Sequence, residues 1–311
     1  MKKQIIIIAG PTAVGKTEYA IEIAKAVNGE IVSADSMQLY KYMDIGSAKP
    51  SGEELSQIKH YLVDQIDPRE KFSVVQYQKL AKAAIREIFN KGKIPVVSGG
   101  TGLYINSLMY EMDFAAPPSD EAFRKELETL AEQKGREYLH SRLAELDSDA
   151  AARIHPNNVK KVIRAIEAAE NGSKIRAFDK ASVPAADYEV LLAGLTRDRK
   201  ELYERINRRV ELLIEKGLVN EVSSLMQMGL GYDDISMKGI GYKEIIGSLE
   251  GRYTLDEAIE LIKKNTRHYA KRQLTWLRRY DNIKWFNLSS YEDKTMAMGD
   301  ILKWLRTNAN R

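Results

Sequence analysis

The stretch Gln4-Ile-Ile-Ile-Ile-Ala9-Gly10-Pro11-Thr12-Ala13-Val14-Gly15-Lys16-Thr17 decides the fold. Its first six residues form an apolar, largely β-branched run closed by Gly-Pro, the pattern of a strand buried on both faces. Gly10 to Thr17 then matches GxxxxGK[ST], and residues 16–27 carry helical spacing with Ile21, Ala24 and Val27 on one face. Strand, glycine-rich turn and helix in this order make a phosphate-binding loop. The glycines let several backbone N–H groups converge on one anion, and the helix N-terminus adds the positive end of its dipole. Lys16 supplies a mobile point charge, and the Thr17 hydroxyl can ligate a Mg²⁺ that bridges phosphates.

Outward from this loop the same alternation continues. Residues 30–33 read as a second strand, and 74–90 as an amphipathic helix ended by Gly92. Residues 94–98 read as a third strand that runs into Gly99-Gly100-Thr101-Gly102. The alternation implies an α/β fold, a parallel sheet with helices on both faces. The character changes at residues 112–119, where Ala115-Ala-Pro-Pro118 marks a linker. Residues 120–172 are rich in Ala, Glu, Lys, Arg and Leu without strand signals, and 171–187 are polar. A buried-strand pattern returns at 188–195. The expectation is a helical insertion, 114–187, within a discontinuous α/β core formed by 1–113 and 188–311. Asp198-Arg-Lys-Glu201 and Thr254-Leu-Asp-Glu257 fit capping boxes that open further helices, and residues 283–286 fit a late strand.

Composition narrows the chemistry. The 311 residues include no cysteine, which excludes disulfides, thiolate metal sites and cysteine nucleophiles, and the four histidines are too scattered to suggest a metal cluster. Net charge is +4, so a nucleic-acid role must come from local patches. The apolar run 5–8 is too short for a signal peptide, and no other run approaches a membrane span, so no membrane role and a cytoplasmic location are expected.

The loop indicates phosphate but not the reaction. An ATPase usually places an acid at the end of a second buried strand, whereas residues 94–97 are followed by Ser98. The nearest acid is Asp35 in Ser33-Ala-Asp35-Ser36-Met37-Gln38-Leu-Tyr40. Ligands of open parallel sheets bind at the carboxyl ends of strands, which places Asp35 and the phosphate loop at one edge. Asp35 can serve there as general base, Mg²⁺ ligand or helix cap. The Gln38 amide both donates and accepts, as reading a base edge requires. Thr101 brings a hydroxyl to the same edge, and a tight strand-to-helix turn is the alternative reading of its glycines.

Residues 263–279 contain seven Lys/Arg and no Asp or Glu. On a helix Lys264, Arg267, Lys271 and Arg278 fall within a stripe of roughly 60°, opposite Ile262, Tyr269 and Trp276. An ordinary solvated face would intersperse carboxylates, so this ridge suits a phosphate backbone. A smaller basic cluster, Lys160, Lys161 and Arg164, lies in the insertion. Arg205 and Arg209, one helical turn apart, can reach a diphosphate or an RNA phosphate, or pair with Glu201 or Glu204. Lys238-Gly239-Ile240-Gly241-Tyr242-Lys243 offers two cations, an aromatic ring and flexible backbone.

Taken in order, GPTAVGKT, SADSMQLY, SGGTGLY, KGIGYKE and NTRHYAKRQLTWLRR resemble the bacterial tRNA dimethylallyltransferases, with motifs spread from Gly10 to Arg279. The resemblance implies a P-loop-kinase-like core with an inserted helical domain. It implies a monomer that transfers a dimethylallyl group from dimethylallyl diphosphate to N6 of the adenosine 3′ of the anticodon. Gly10–Thr17 would then hold the donor diphosphate, or the phosphates of a nucleotide, with Mg²⁺ at Thr17. Asp35 would take the amine proton, and Thr101 would hydrogen-bond near the reacting centre. Ser36, Met37 and Gln38 would contact the target nucleotide. Arg124, the segment Lys160-Lys161-Val162-Ile163-Arg164 and the segment Lys238–Lys243 would contact tRNA. The family often has Gln-Arg where this chain has Lys160-Lys161, which keeps positive charge and loses an amide. Three alternatives carry the same phosphate loop: a small-molecule kinase, an adenylate isopentenyltransferase acting on free nucleotide, and an RNA-binding P-loop protein without transferase activity.

Overall fold

The computed structural model describes residues 3–112, 120–173 and 187–308. Six parallel strands form one sheet: β1 (Gln4–Ala9), β2 (Gly29–Ala34), β3 (His60–Tyr61), β4 (Ile94–Gly99), β5 (Glu189–Thr196) and β6 (Lys284–Asn287), in the order β3-β2-β4-β1-β5-β6. The isoleucine run occupies an interior strand, flanked by β4 with Ile6 opposite Val96 and by β5 with Ile6 opposite Leu191. Neither face of such a strand meets water, which is why its sequence does not alternate. Ile5, Ile7, Ile8 and Ala9 are fully buried. β3, two residues long, offers too little periodicity to be read from sequence.

The core helices are α1 (Lys16–Ala26), α2 (Gly52–Gln57), α3 (Val74–Asn90) and α4 (Gly102–Met109). Four more, α5 (Glu121–Lys134), α6 (Arg136–Leu146), α7 (Ser148–Arg153) and α8 (Val159–Glu170), lie in the middle of the chain. The core resumes with α9 (Arg199–Glu215), α10 (Leu218–Gln227), α11 (Tyr242–Leu249), α12 (Leu255–Leu277) and α13 (Lys294–Asn308). Ile6, Ile8, Ile31 and Val96 pack with Ile21 of α1 and with Ile301 and Leu305 of α13 on one face of the sheet. α3 buries Tyr77, Ala81, Ala84, Ile85 and Ile88 at helical spacing, and Tyr77 stacks on Tyr104 of α4 at 3.8 Å between ring centroids. Residues of α9 to α12 close a second cluster around Val222, Tyr242, Ile245 and Ile262.

Two compact units result, 1–109 with 185–311 and 110–184. The second has its own core of Leu127, Leu139, Leu143, Val162 and Ile166. Among the described residues no helix is long and apolar enough to cross a membrane. The linker residues 113–119 and most of the polar stretch 171–187 lie outside the described residues.

One of the two expected capping boxes forms. The Thr254 hydroxyl accepts from the Glu257 N–H, and the Glu257 carboxylate accepts from the Thr254 N–H. At α9, by contrast, the Asp198 side chain makes no cap bond. Asp198 Oδ1 accepts instead from Asn287 Nδ2 at 3.0 Å, and Glu201 pairs with Arg197 at 2.5 Å. Both carboxylates are drawn off by partners that only the folded chain brings near.

Candidate active site

Because all six strands run the same way, the residues following β1, β2 and β4 converge on one edge of the sheet. After β1 the chain turns through Gly10 to Gly15. Ala13 has φ 63° and Gly15 φ 110°, two left-handed residues in one tight loop. Such curvature strains an L-residue and must be held from outside. Three side chains hold it. Arg205 Nε donates to the Ala13 carbonyl at 3.0 Å, Arg197 Nε donates to the Val14 carbonyl at 3.1 Å, and Gln273 Oε1 accepts from the Thr12 N–H at 2.9 Å. These bonds fix the tight curvature that lets the remaining loop amides converge on an anion.

The turn after β4 is fixed by α12. Gln273, 6% exposed, donates from Nε2 to the Gly100 carbonyl at 3.0 Å. A Cβ on Gly100 would lie 2.2 Å from that amide, and one on Gly102 would lie 2.2 Å from the Trp276 ring. These glycines admit a helix, which is a more specific reason than a tight turn. α12 thereby ties the β4 turn to the phosphate loop.

After β2, Asp35 Oδ1 accepts from the Met37 N–H at 2.9 Å, and Thr101 Oγ1 accepts from the Ser36 N–H at 3.1 Å. Residues 36–39 are turns, so Asp35 caps a turn rather than a helix. Its carboxylate lines a cleft of about 480 Å³ together with Lys16, Thr17, Arg205, Arg209 and Tyr269. Lys16 Nζ donates to the Pro11 carbonyl at 2.8 Å. Burial pulls Lys16 down to about 8, Asp35 holds it up against that, and Arg209 pushes it lower. Burial also lowers Arg209, again opposed by Asp35. Tyr269 is pushed up to about 12, first by burial and then by Asp35. Within the cleft Asp35 therefore stands close to Lys16, Arg209 and a neutral phenol.

Thr17 and Asp35 are among the oxygen donors lining the cleft that could hold a divalent cation. No group of three or more His, Asp or Glu that could bind a metal alone occurs among the described residues. That donor set suits Mg²⁺, which takes one or two protein oxygens and completes its shell from phosphates and water.

The structure redistributes several expected contacts. Arg205 donates to the phosphate loop while still feeling the charge of Glu201, and Arg209 feels Asp35. The Gln38 amide is already engaged: Oε1 accepts from Ser33 Oγ at 2.9 Å, and Nε2 donates to the Ala48 carbonyl at 3.3 Å. Met37 meets Gly239, where an added Cβ would lie 2.6 Å from the methionine Cε, so these two expected segments touch. Tyr242 is fully buried, with its hydroxyl bonded to Glu221 and to the Ser47 N–H, which removes its ring as an RNA contact. Ile240 is partly buried against the same cluster, and Gly241 is buried at φ 101°. Lys238 is exposed, and Lys243 is half-buried beside Glu244.

On α12, Lys264 and Lys271 are exposed, as is Arg278 just past the helix end. Arg267 is turned inward and donates to Asn207 Oδ1 at 2.6 Å, so it leaves the ridge. In the second unit, Lys160, Lys161 and Arg164 are exposed, whereas Val162 and Ile163 point into its core and cannot reach RNA. Arg124 forms a bidentate pair with Glu167, its NH2 at 2.6 Å from Oε2. Arg197, which holds the phosphate loop, and Arg208, which lines the cleft, carry no local sequence signal. Gln273 and Tyr269 do stand in the basic segment, at helical positions opposite its charges.

The surroundings of the cleft are matched elsewhere. A family model described as IPP transferase matches residues 38–280, starting beyond the phosphate loop. The tRNA dimethylallyltransferase of Alkaliphilus oremlandii is 54% identical over 311 residues, covering 100% of this chain and 99% of that protein. That of Clostridioides difficile is 50% identical over 307 residues, covering 98% and 99%. The crystal structure of the tRNA isopentenylpyrophosphate transferase from Bacillus halodurans superposes with a TM-score of 0.75 at 41% identity, over 99% of this chain and 96% of that one. A eukaryotic dimethylallyltransferase acting on tRNA gives a TM-score of 0.80 at 26% identity, over 99% of this chain and 80% of that one. The likeness in sequence and in fold runs along the whole length, and the chain belongs to the IPP transferase family.

Proposed function

We propose that this protein is a tRNA dimethylallyltransferase of the cytoplasm, acting as a monomer. It transfers the dimethylallyl group of dimethylallyl diphosphate to N6 of the adenosine 3′ of the anticodon and releases diphosphate. The observation that carries this reading is the Asp35 carboxylate lining the same cleft as the phosphate loop, where Lys16 of that loop and Arg209 of α9 both feel its charge.

The chemistry explains the parts. An exocyclic adenine amine is a poor nucleophile because its lone pair is delocalised into the ring. Bond breaking at the donor must therefore lead: the allylic C1–O bond ionises as the C1–N6 bond forms. Loop amides, Lys16 and Arg205 stabilise the negative charge gathering on the departing diphosphate. Asp35 accepts the proton lost from N6. Bound at Thr17, Mg²⁺ would add positive charge beside the phosphates. Tyr269 and Gln273 close the cleft on the α12 side and exclude water, which would otherwise capture the allylic carbon. The target base must leave its stack to enter, and Lys264, Lys271 and Arg278 offer phosphate contacts that position the RNA.

The test is mass spectrometry of an unmodified anticodon stem-loop incubated with protein, Mg²⁺ and dimethylallyl diphosphate, beside an AMP control. Gain of one dimethylallyl group on the RNA alone is expected. Gain on AMP alone would favour a free-nucleotide enzyme. No gain on either, with γ-phosphate transfer from ATP, would return the loop to a kinase.

A further inference from the structure

Residues 41–50 link the Asp35 turn to α2 without forming a helix or strand, yet they build part of the cleft wall through Ala48 and Pro50. Tyr42 at φ 65° and Ala48 at φ 46° are left-handed non-glycine residues, so the loop needs external support. That support comes from far along the chain. The Glu221 carboxylate on α10 accepts from three consecutive backbone N–H groups, Asp44 at 2.8 Å, Ile45 at 2.7 Å and Gly46 at 3.0 Å. Tyr242 of α11 donates its hydroxyl to Glu221 Oε1 at 2.8 Å and accepts from the Ser47 N–H at 3.1 Å. Four successive amides are thus met by two side chains. A Cβ on Gly46 would lie 2.5 Å from the Tyr242 ring, so the loop is seated flush on that tyrosine. Its far end then holds Gln38, through the Ala48 carbonyl, against Ser33 in the cleft.

We infer that Glu221, with Tyr242 beneath it, is a positioning residue for acceptor recognition: it fixes the loop 41–50, and through Ala48 it fixes the Gln38 amide in the cleft wall, where the target nucleotide of the proposed reaction would meet it. This rests on the proposed tRNA reaction. Glu221 lies outside the cleft and reaches neither the phosphate loop nor Asp35 through any of these bonds. Its effect is therefore confined to the acceptor side. A carboxylate has only acceptors to offer three N–H groups, whereas a glutamine in its place turns an NH₂ toward them.

Glu221→Gln is the test, with four readouts: the folded far-UV spectrum, affinity for inorganic diphosphate, and KM and kcat for the anticodon stem-loop. If the variant leaves the loop competent about one-tenth of the time, stem-loop KM rises about tenfold while saturating kcat stays within about twofold. Diphosphate affinity is expected to be unchanged. A double-mutant cycle with Gln38→Ala separates positioning from general loosening: the double variant should be no worse than the poorer single one, because Glu221 acts through Gln38. Effects that multiply, or an equal loss of diphosphate affinity, would overturn the inference. So would an unchanged KM in an active variant. A variant that does not fold gives way to Tyr242→Phe, which removes one hydroxyl and should raise KM in the same pattern. If the wild-type protein modifies no RNA, the proposed function fails instead, a result the parent enzyme reveals before any variant is made.

Discussion

Gln273→Ala probes the contact that joins the phosphate loop to the basic helix. The side chain is 6% exposed and serves two backbone groups, the Thr12 N–H at 2.9 Å and the Gly100 carbonyl at 3.0 Å. A buried backbone group left without a partner costs about 1–3 kcal/mol. Thr12 borders the cleft, where water can replace part of its bond, so the sum falls in the lower half of the range, about 2–4 kcal/mol. For a unit of this size that corresponds to a fall in Tm of roughly 5–15 °C. Thermal unfolding followed by circular dichroism measures it, and titration with inorganic diphosphate measures the accompanying loss of loop order as weaker binding. A second variant checks the geometry. Gly100→Ala places a Cβ 2.2 Å from Gln273 Nε2 and 2.9 Å from the Gly10 carbonyl, so it should expel the same amide. Combined with Gln273→Ala only the Gly10 clash remains, and the double variant should lose less stability than the two singles summed. A Gln273→Ala protein that melts within about 1 °C of wild type and binds diphosphate equally well would refute this account of the loop.

Asp35→Ala is expected to lower kcat by about 10²–10⁴, the scale of losing a general base, and unchanged turnover on the stem-loop would remove Asp35 from the mechanism. Lys271→Ala and Arg278→Ala should each weaken stem-loop binding and flatten its salt dependence by about one counterion, whereas Arg267→Ala, whose guanidinium is held by Asn207, should change the slope less; equal slopes in all three, measured by anisotropy over a salt series, would contradict that ranking. Lys16 sits at about 8 in the fold against an ordinary 10.5, so between these values the unfolded chain binds the extra proton. Keeping Lys16 charged therefore costs stability below about pH 8, and the cost is lifted as pH rises toward 10.5. Diphosphate, which needs the cation, should bind more weakly over that same rise, and Lys16→Met should abolish both trends in titrations of stability and binding against pH.

The sheet, the phosphate loop and Asp35 were legible because each is written in adjacent residues. An isoleucine run closed by a glycine-rich turn and a helix has few other folded solutions, and the loop motif needs no distant partner to be read. What escaped the sequence depends on long-range contact. Glu201 satisfies a capping pattern yet pairs with Arg197, and Asp198 satisfies the same pattern yet accepts from Asn287, 89 positions away. Gln273 carries no local signal, because nothing in its own segment shows that Thr12 and Gly100 lie against it. Tyr242 reads as an aromatic in a flexible loop, and only the packing of α11 shows its ring buried and its hydroxyl committed. The stripe on α12 was placed correctly for Lys264 and Lys271, while Arg267 at its margin found Asn207 of a neighbouring helix. Helical periodicity fixes the face of a side chain but not which neighbour claims it.

The end of β4 explains why the site carries its acid where it does. In P-loop enzymes that move a γ-phosphate, a carboxylate at the end of a second core strand helps hold Mg²⁺ beside the loop. Here that strand ends in Ser98 and Gly99, and a Cβ on Gly99 would lie 2.2 Å from the Ala34 carbonyl of β2. The next residue, Gly100, is taken up by Gln273. Neither glycine has room for an acid, and the strand offers the cleft only the Ser98 hydroxyl before them. The carboxylate stands one strand over, after β2, which neighbours β4 in the sheet. From there Asp35 faces the cleft, with Lys16 and Arg209 close enough to feel its charge. A water-activating acid belongs beside the terminal phosphate, whereas a base that takes a proton from an incoming amine belongs across the cleft from it. Closing β4 with glycines lets α12 seal the pocket, and an allylic carbon bearing positive charge needs that exclusion of water more than it needs a second carboxylate.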